Sequence, residues 1–331
     1  MNPSAEVWLQ NLLTHDNSQE FLLAGGSLIR FVVVNDQATH EELHELVRAK
    51  LKNINFSVFG VPSHQVDLQH PHRVVIEIAK KLSLEYYLKQ LAVRVWQDCG
   101  LENSELKAVR AIASQNETHS YDLEERYMRK LRERLGLGFS TSQSNENAPH
   151  SRQLSRDFAN GLRMVCGELM EEGNSRSFNI FANWLRGDST VSTRKMMRIQ
   201  WPIKKENATS TLRSLMALPP MANKGGTVLH LDIRWLTDPK SVANATARLN
   251  PTPAARTAVY QWIRELIDQT SEFRSSLIII EVGPSFVNTD PKGVGIGTYD
   301  ALKNRILDDA IFSGDPNLSA VLVPLDRKQI K

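Results

Sequence analysis

Residues 225–238 read GGTVLHLDIRWLTD, and the reading of this stretch decides the fold. A glycine pair opens it. A short apolar run follows over 227–231, interrupted only by His230, and it closes on Asp232. An apolar run of this length, bounded by turn residues, predicts a strand buried on both faces, as in parallel sheets. We place that strand at 227–233. A carboxylate at its end then lies at the carboxyl edge of the sheet, where open α/β sheets bind ligands.

Working outward, the N-terminal part supplies more of the same sheet. A short helix is predicted at 5–13 and a further helical turn at 19–24, stopped by Gly25 and Gly26. The run LIRFVVV at 28–34 is β-branched and aromatic, a strong strand signal. Thr39 is the expected N-cap of the next helix, with Glu41 and Glu42 in its first turn and Leu43, Leu46, Val47 and Leu51 at helical spacing. FSVFGV at 56–61 is a second strand, stopped by Pro62, and a helix is expected over 73–82. The periodicity then changes. Between 84 and about 215 there is no convincing strand, and helices are expected at 84–99, 106–113, 123–135, 158–170 and 177–185. The Ser/Asn/Gln-rich stretch 136–152 has no periodicity and reads as a loop. After the opening stretch come a helix at 253–270, a strand SLIIIEV at 276–282, a helix at 299–309 and a last strand at 319–325.

The sum is an α/β fold: a parallel five-stranded sheet of the P-loop NTPase type carrying a large helical insertion. The expected division is 1–83 and 216–331 for the two halves of the sheet core and 84–215 for the insertion. The 331 residues and their hydrophobic fraction of 41% suffice for such a core. A net charge of +3 does not by itself announce a nucleic-acid binder. Two distant cysteines, Cys99 and Cys166, without CxxC spacing, argue against a disulfide framework and fit a reducing compartment. With no basic, apolar leader and no membrane-length apolar run, the expected location is cytoplasmic.

Several patterns bear on chemistry. Asp232 stands where P-loop ATPases place a magnesium-binding aspartate. Such enzymes also need GxxxxGK[ST] directly after the first strand. Here that strand is followed by Asn35, Asp36, Gln37, Ala38, Thr39 and His40, with no lysine and no glycine, and Ile233 stands where a water-activating glutamate is usual. The architecture is thus ATPase-like and the site expected to be inert. A working ATPase remains an alternative, with phosphate on the helix N-terminus at Thr39. His40-Glu41-Glu42-Leu43-His44 matches HExxH, the zinc peptidase pattern, without a marked third ligand, although His64, Asp67, His70 and His72 are available. Gly293, Gly295 and Gly297 form a glycine loop before a helix that lacks dinucleotide spacing. Basic residues gather at Arg126, Arg129, Lys130, Arg132 and Arg134, interleaved with acids. A second group, Arg194, Lys195, Arg198, Lys204 and Lys205, surrounds Trp201 with fewer acids and suits nucleic-acid contact. Arg305 is a candidate sensor arginine, with a helix-surface ion pair to Asp300, Asp308 or Asp309 as the competing reading.

The chain resembles the ATP-binding proteins of BREX-type bacterial anti-phage systems, the BrxD-like group. The resemblance is carried by FLLAGGSLIRFVVV at 21–34, WLRGD at 184–188, GGTVLHLDIRWLTD, AVYQWIRELIDQTSEF at 258–273, SLIIIEVGPSFV at 276–287 and TYDALKNRI at 298–306. It implies an AAA-related P-loop fold in which Asp232 matches the first acid of the acidic pair and Glu281 takes the polar position ending the next strand. Asp232, Arg234, Glu281 and Arg305 are then the expected remnant of a nucleotide site. Bound ATP and magnesium are expected to be residual or absent. The implied partners are other defence-system proteins, in an assembly of like or unlike subunits; the basic residues around Trp201 add DNA as an expected partner, and no membrane is expected.

Overall fold

The computed structural model describes residues 2–14, 17–61, 67–100, 117–137, 154–168, 176–239, 242, 251–307 and 321–325, with the backbone alone for 117–123. The expected helix at 106–113, His64, the loop from 138 onward, Asp308 and Asp309 lie outside these residues. The chain divides into two compact units, one formed by 1–74 with 225–331 and the other by 75–224.

The first unit is an α/β layer structure around an all-parallel sheet of the P-loop NTPase type. Its strands are β1 (Ser27–Val34), β2 (Phe56–Val61), β3 (Gly226–Asp232), β4 (Ser276–Val282) and β5 (Leu322–Leu325), in the spatial order β2-β3-β4-β1-β5. β3 and β4 are buried at every position, which is why they read as unbroken apolar runs. Register fixes the two faces. Val32 lies beside Glu281, and Glu281 beside Asp232; Arg30 lies beside Ile279, and Ile279 beside His230. Side chains alternate along each strand, so these residues share one face. On that face Val32, Val34, Val228, Leu277 and Ile279 pack with α1 (Ala5–Thr14) and α3 (Gln37–Asn53), through Trp8, Leu12, Leu43, Val47 and Leu51. The short α2 (Ser18–Leu23) precedes β1. On the opposite face Phe31 stacks on Phe286 at 5.9 Å, and Tyr260 of α11 (Pro253–Asp268) meets Phe286 edge-on.

The second unit has no strand among its described residues; its helices are the end of α4 (Pro71–Lys81), then α5 (Leu84–Asp98), α6 (Glu117–Arg134), α7 (Arg156–Glu168), α8 (Arg176–Leu185), α9 (Val191–Met196) and α10 (Ala208–Met221). Phe158, Phe181 and Trp184 form its aromatic centre, and Trp96 packs on Tyr127 at 4.8 Å. Both cysteines are free and buried. Burial pushes the Cys166 thiol up to about 12, so it is unreactive. No helix among the described residues is long and apolar enough to cross a membrane.

One boundary corrects the sequence reading. Thr39 is not the N-cap of α3. The helix begins at Gln37, and Asp36, in extended conformation, caps it by accepting the Thr39 amide at 2.7 Å. Aspartate outranks threonine at this position, and capping places Thr39 one turn inside, where it is buried.

Candidate functional site

At the carboxyl edge of the sheet, one ion-pair network joins β3, β4 and the first turns of α3. Its centre is Glu281, fully buried near the end of β4. Arg234 reaches it from the short turn after β3, Nε to Oε1 at 3.0 Å. The same guanidinium grips Asp232 as a fork, Nε to Oδ1 and Nη2 to Oδ2, both at 3.1 Å, and the Arg234 amide also donates to Oδ1. From α3, His40 Nδ1 lies 2.8 Å from both carboxylate oxygens of Glu281. From β3, His230 Nε2 lies 3.1 Å from Oε2. An ionised carboxylate can only accept, so both ring nitrogens carry the proton in these bonds.

The electrostatics agree. Burial alone would raise the Glu281 pKa. The hydrogen bonds from His230 and His40 and the Arg234 charge outweigh it and hold the carboxyl down to about 2. Burial likewise opposes the charge on Arg234, but Glu281 and Asp232, with Asp36 nearby, raise its pKa above the usual arginine value. His44, one helical turn beyond His40, stacks on His230 at 5.7 Å between ring centres. Its pKa is lowered, first by burial and then by His230 and His40. Gly60, opposite His230 in the β2–β3 ladder, makes the room: a Cβ there would lie 2.9 Å from His44 Nε2.

The structure thus brings Asp232, Arg234 and Glu281 together and adds His40, His44 and His230. It does not bring Arg305 to them. Arg305 lies in α12 (Asp300–Leu307) and pairs with Asp268, the last residue of α11, which leads to the amino end of β4. That is the opposite edge of the sheet. Arg305 is a surface ion-pair residue whose described carboxylate partner is Asp268; Asp308 and Asp309 lie outside the described residues.

Magnesium–ATP, which a sheet of this type implies, would meet residues at this edge that are already engaged with one another. β1 and α3 are linked by Asn35 and Asp36 alone, too short a connection to wrap a phosphate in backbone amides. The helix N-terminus already holds a carboxylate, that of Asp36, on the Thr39 amide. Phosphate at Thr39 would have to displace that carboxylate. Asp232 is bound in two places by Arg234 and is 3% exposed. The HExxH histidines are engaged within the protein, His44 stacking on His230. His40 is taken by Glu281, and among the described residues no group of His, Cys, Asp and Glu is arranged to hold a metal.

The glycine loop is structural. A Cβ on Gly295 would meet the carbonyl oxygens of Asn288, Ser285 and Phe286 at 2.5–2.6 Å, and one on Gly297 would meet the backbone of Thr289 at 2.2 Å. The glycines are there because the loop folds tightly on itself. Asp238 organises the preceding turn, accepting from the Ser285 hydroxyl at 2.6 Å and its amide at 3.0 Å.

In the helical unit, Arg134 pairs with Asp98 and Lys130 with Glu133, so that basic group includes paired surface charges. The second group is partly presented. Trp201 is 64% exposed, and Lys195, Arg198, Lys204 and Lys205 are exposed around it. Arg194 is folded back on Ser189, donating to its carbonyl and hydroxyl.

Sequence reasoning missed the partners of Glu281. The signal was present: His230 and Glu281 interrupt the apolar runs of two strands, with Asp232 ending the first. Opposite chemistry on neighbouring buried strands demands a pairing.

Compared with known proteins, residues 148–329 match the family model described as BREX system ATP-binding protein BrxC/D. No curated protein and no solved structure matches the chain. The matched segment carries Asp232, Arg234, Glu281 and the basic loop around Trp201, whereas β1, α3 and β2 precede it. It spans more than half of the 331 residues, and the chain belongs to the BREX system ATP-binding protein BrxC/D family.

Proposed function

We propose that this chain is a non-hydrolysing, ATPase-like subunit of a BREX defence complex, working by binding other components and DNA. One observation carries the reading: the edge that would receive the nucleotide is occupied by the protein's own charges. Arg234 is paired there with both Asp232 and Glu281, and Asp36 stands where phosphate would sit. The chemistry that remains at this edge is structural. It ties the first turns of α3 to β3 and β4. Membership in the family supports partners among other proteins of the defence system. The helical unit supplies the cations for DNA contact.

The test is direct. Purified protein is titrated with ATP and magnesium by calorimetry and assayed for phosphate release. We expect no binding at millimolar nucleotide and no release above the buffer rate. Turnover that disappears in Asp232→Ala would overturn the reading in favour of an active ATPase with an unconventional phosphate site.

A further inference from the structure

The loop between α9 and α10 presents an aromatic side chain to solvent on a frame of fixed hydrogen bonds. Both oxygens of Asp157, in the first turn of α7, are used to hold it: Oδ1 accepts the Gln200 amide at 2.9 Å and Oδ2 the Trp201 amide at 3.0 Å. The Trp201 carbonyl accepts from the indole of the buried Trp184 at 2.9 Å. Either side of this point is pinned as well. Asn160 donates to the Arg198 carbonyl, whose residue takes the left-handed conformation at φ 56, and Asn207 bonds both the Lys204 amide and the Pro202 carbonyl. Met197, Ile199 and Ile203 turn inward, while Arg198, Gln200, Trp201, Lys204 and Lys205 turn outward.

A tryptophan of this size left 64% exposed removes little apolar area from water. Yet its backbone is fixed on both sides, so a partner would lose little loop freedom on meeting it. Beside the indole is a hollow of about 200 Å³, lined among others by Ser155, Asp157, Asn207, Ser210 and Thr211, side chains held in place by the protein's own hydrogen bonds. Between Ser189 and Asn207 five basic residues stand against a single acid, Glu206. A fixed aromatic face with flanking cations is what an unpaired base and its phosphates require. A duplex keeps its base faces stacked and closed, so it can use the cations but not the indole.

We propose that this loop is a single-stranded nucleic-acid site in which one base stacks on Trp201 and neighbouring phosphates are held by Arg198, Lys204 and Lys205. The proposal deepens the DNA-contact part of the function given above and rests on it.

The experiment is fluorescence anisotropy of the full chain with a labelled fifteen-nucleotide oligothymidylate and, separately, a fifteen-base-pair duplex, across a salt series. Tighter binding of the single strand is expected, with affinity falling as salt rises. Trp201→Ala should weaken single-strand binding by about tenfold or more, Trp201→Phe should retain most of it, and Lys204→Ala with Lys205→Ala should flatten the salt dependence. Trp201 is on the surface, so circular dichroism of the alanine variant should be unchanged. Duplex binding equal to or stronger than single-strand binding, indifferent to Trp201→Ala, overturns the stacking site while leaving DNA contact standing. Binding of neither nucleic acid overturns both.

Discussion

Arg234 and Glu281 meet at 3.0 Å with their side chains 1% and 0% exposed, and no bulk water reaches either. A pair this deep is costly to assemble and costlier to halve, since removing one partner strands the other's charge in a medium that solvates it poorly. Glu281 here answers to three cations or proton donors at once, Arg234, His40 and His230.

Glu281→Ala should therefore lower stability by about 3–5 kcal/mol, and Glu281→Gln by less, because the amide oxygen still accepts one bond. Urea unfolding followed by circular dichroism gives the difference. A loss under about 1 kcal/mol would mean the network does not hold the edge together.

Acid should expose the same carboxylate. The Glu281 pKa is depressed to about 2 in the folded chain, against about 4.3 when unfolded. Its contribution is complete above the unfolded value and is lost as pH falls from there toward about 2. In Glu281→Gln the acid limb of the stability profile should be shallower than in the parent.

His44 acts in a higher window. Its folded pKa lies below the ordinary histidine value, so the unfolded chain binds the proton more readily and stability falls as pH drops through about 6.5. Unfolding midpoints at about pH 7.5 and 5.5 should differ less in His44→Gln than in the parent. An equal difference would show that the ring next to His230 carries no such penalty.

Asp36→Ala removes the cap of α3 and should cost about 1 kcal/mol. It should not create ATP binding, because the link between β1 and α3 stays short and Arg234 stays on Asp232. Calorimetry with magnesium–ATP on this variant checks the second half independently of the first.

Gly295→Ala separates a packed loop from a phosphate loop. The added methyl meets three backbone oxygens at 2.5–2.6 Å, which cannot swing aside as a side chain would, so a loss of about 2 kcal/mol or more is expected. A neutral variant would mean that the loop is open enough to receive a ligand.

Much of the fold was legible because its signals are local. The strands at 56–61 and 276–282 have the predicted bounds, each an apolar run with clear turn residues beside it. α6 begins at Glu117, well before the predicted 123, because its first turns are polar and carry no apolar stripe. Thr39 drew the cap assignment because Glu41 and Glu42 follow it, yet Asp36 is the better acceptor and stands where the strand has just ended. The site was legible only in part. Asp232 and Arg234 are two residues apart, so their meeting is local. Glu281 finds His40 and His230 across 241 and 51 residues, and no pattern along the chain states that they touch. The partner of Arg305, Asp268, is hidden for the same reason, 37 residues away on another helix.

The two-residue link between β1 and α3 bears on ancestry and on engineering alike. No set of point substitutions in Asn35 and Asp36 can yield a loop long enough to encircle a triphosphate; that needs inserted residues. A longer loop would still open onto Arg234 bound to two carboxylates. Dismantling that trio one residue at a time passes through intermediates with a stranded charge in the interior. Each half-way sequence folds worse than either end, so the present arrangement is a valley with steep walls. Substitution is then tolerated at the surfaces and constrained at this edge.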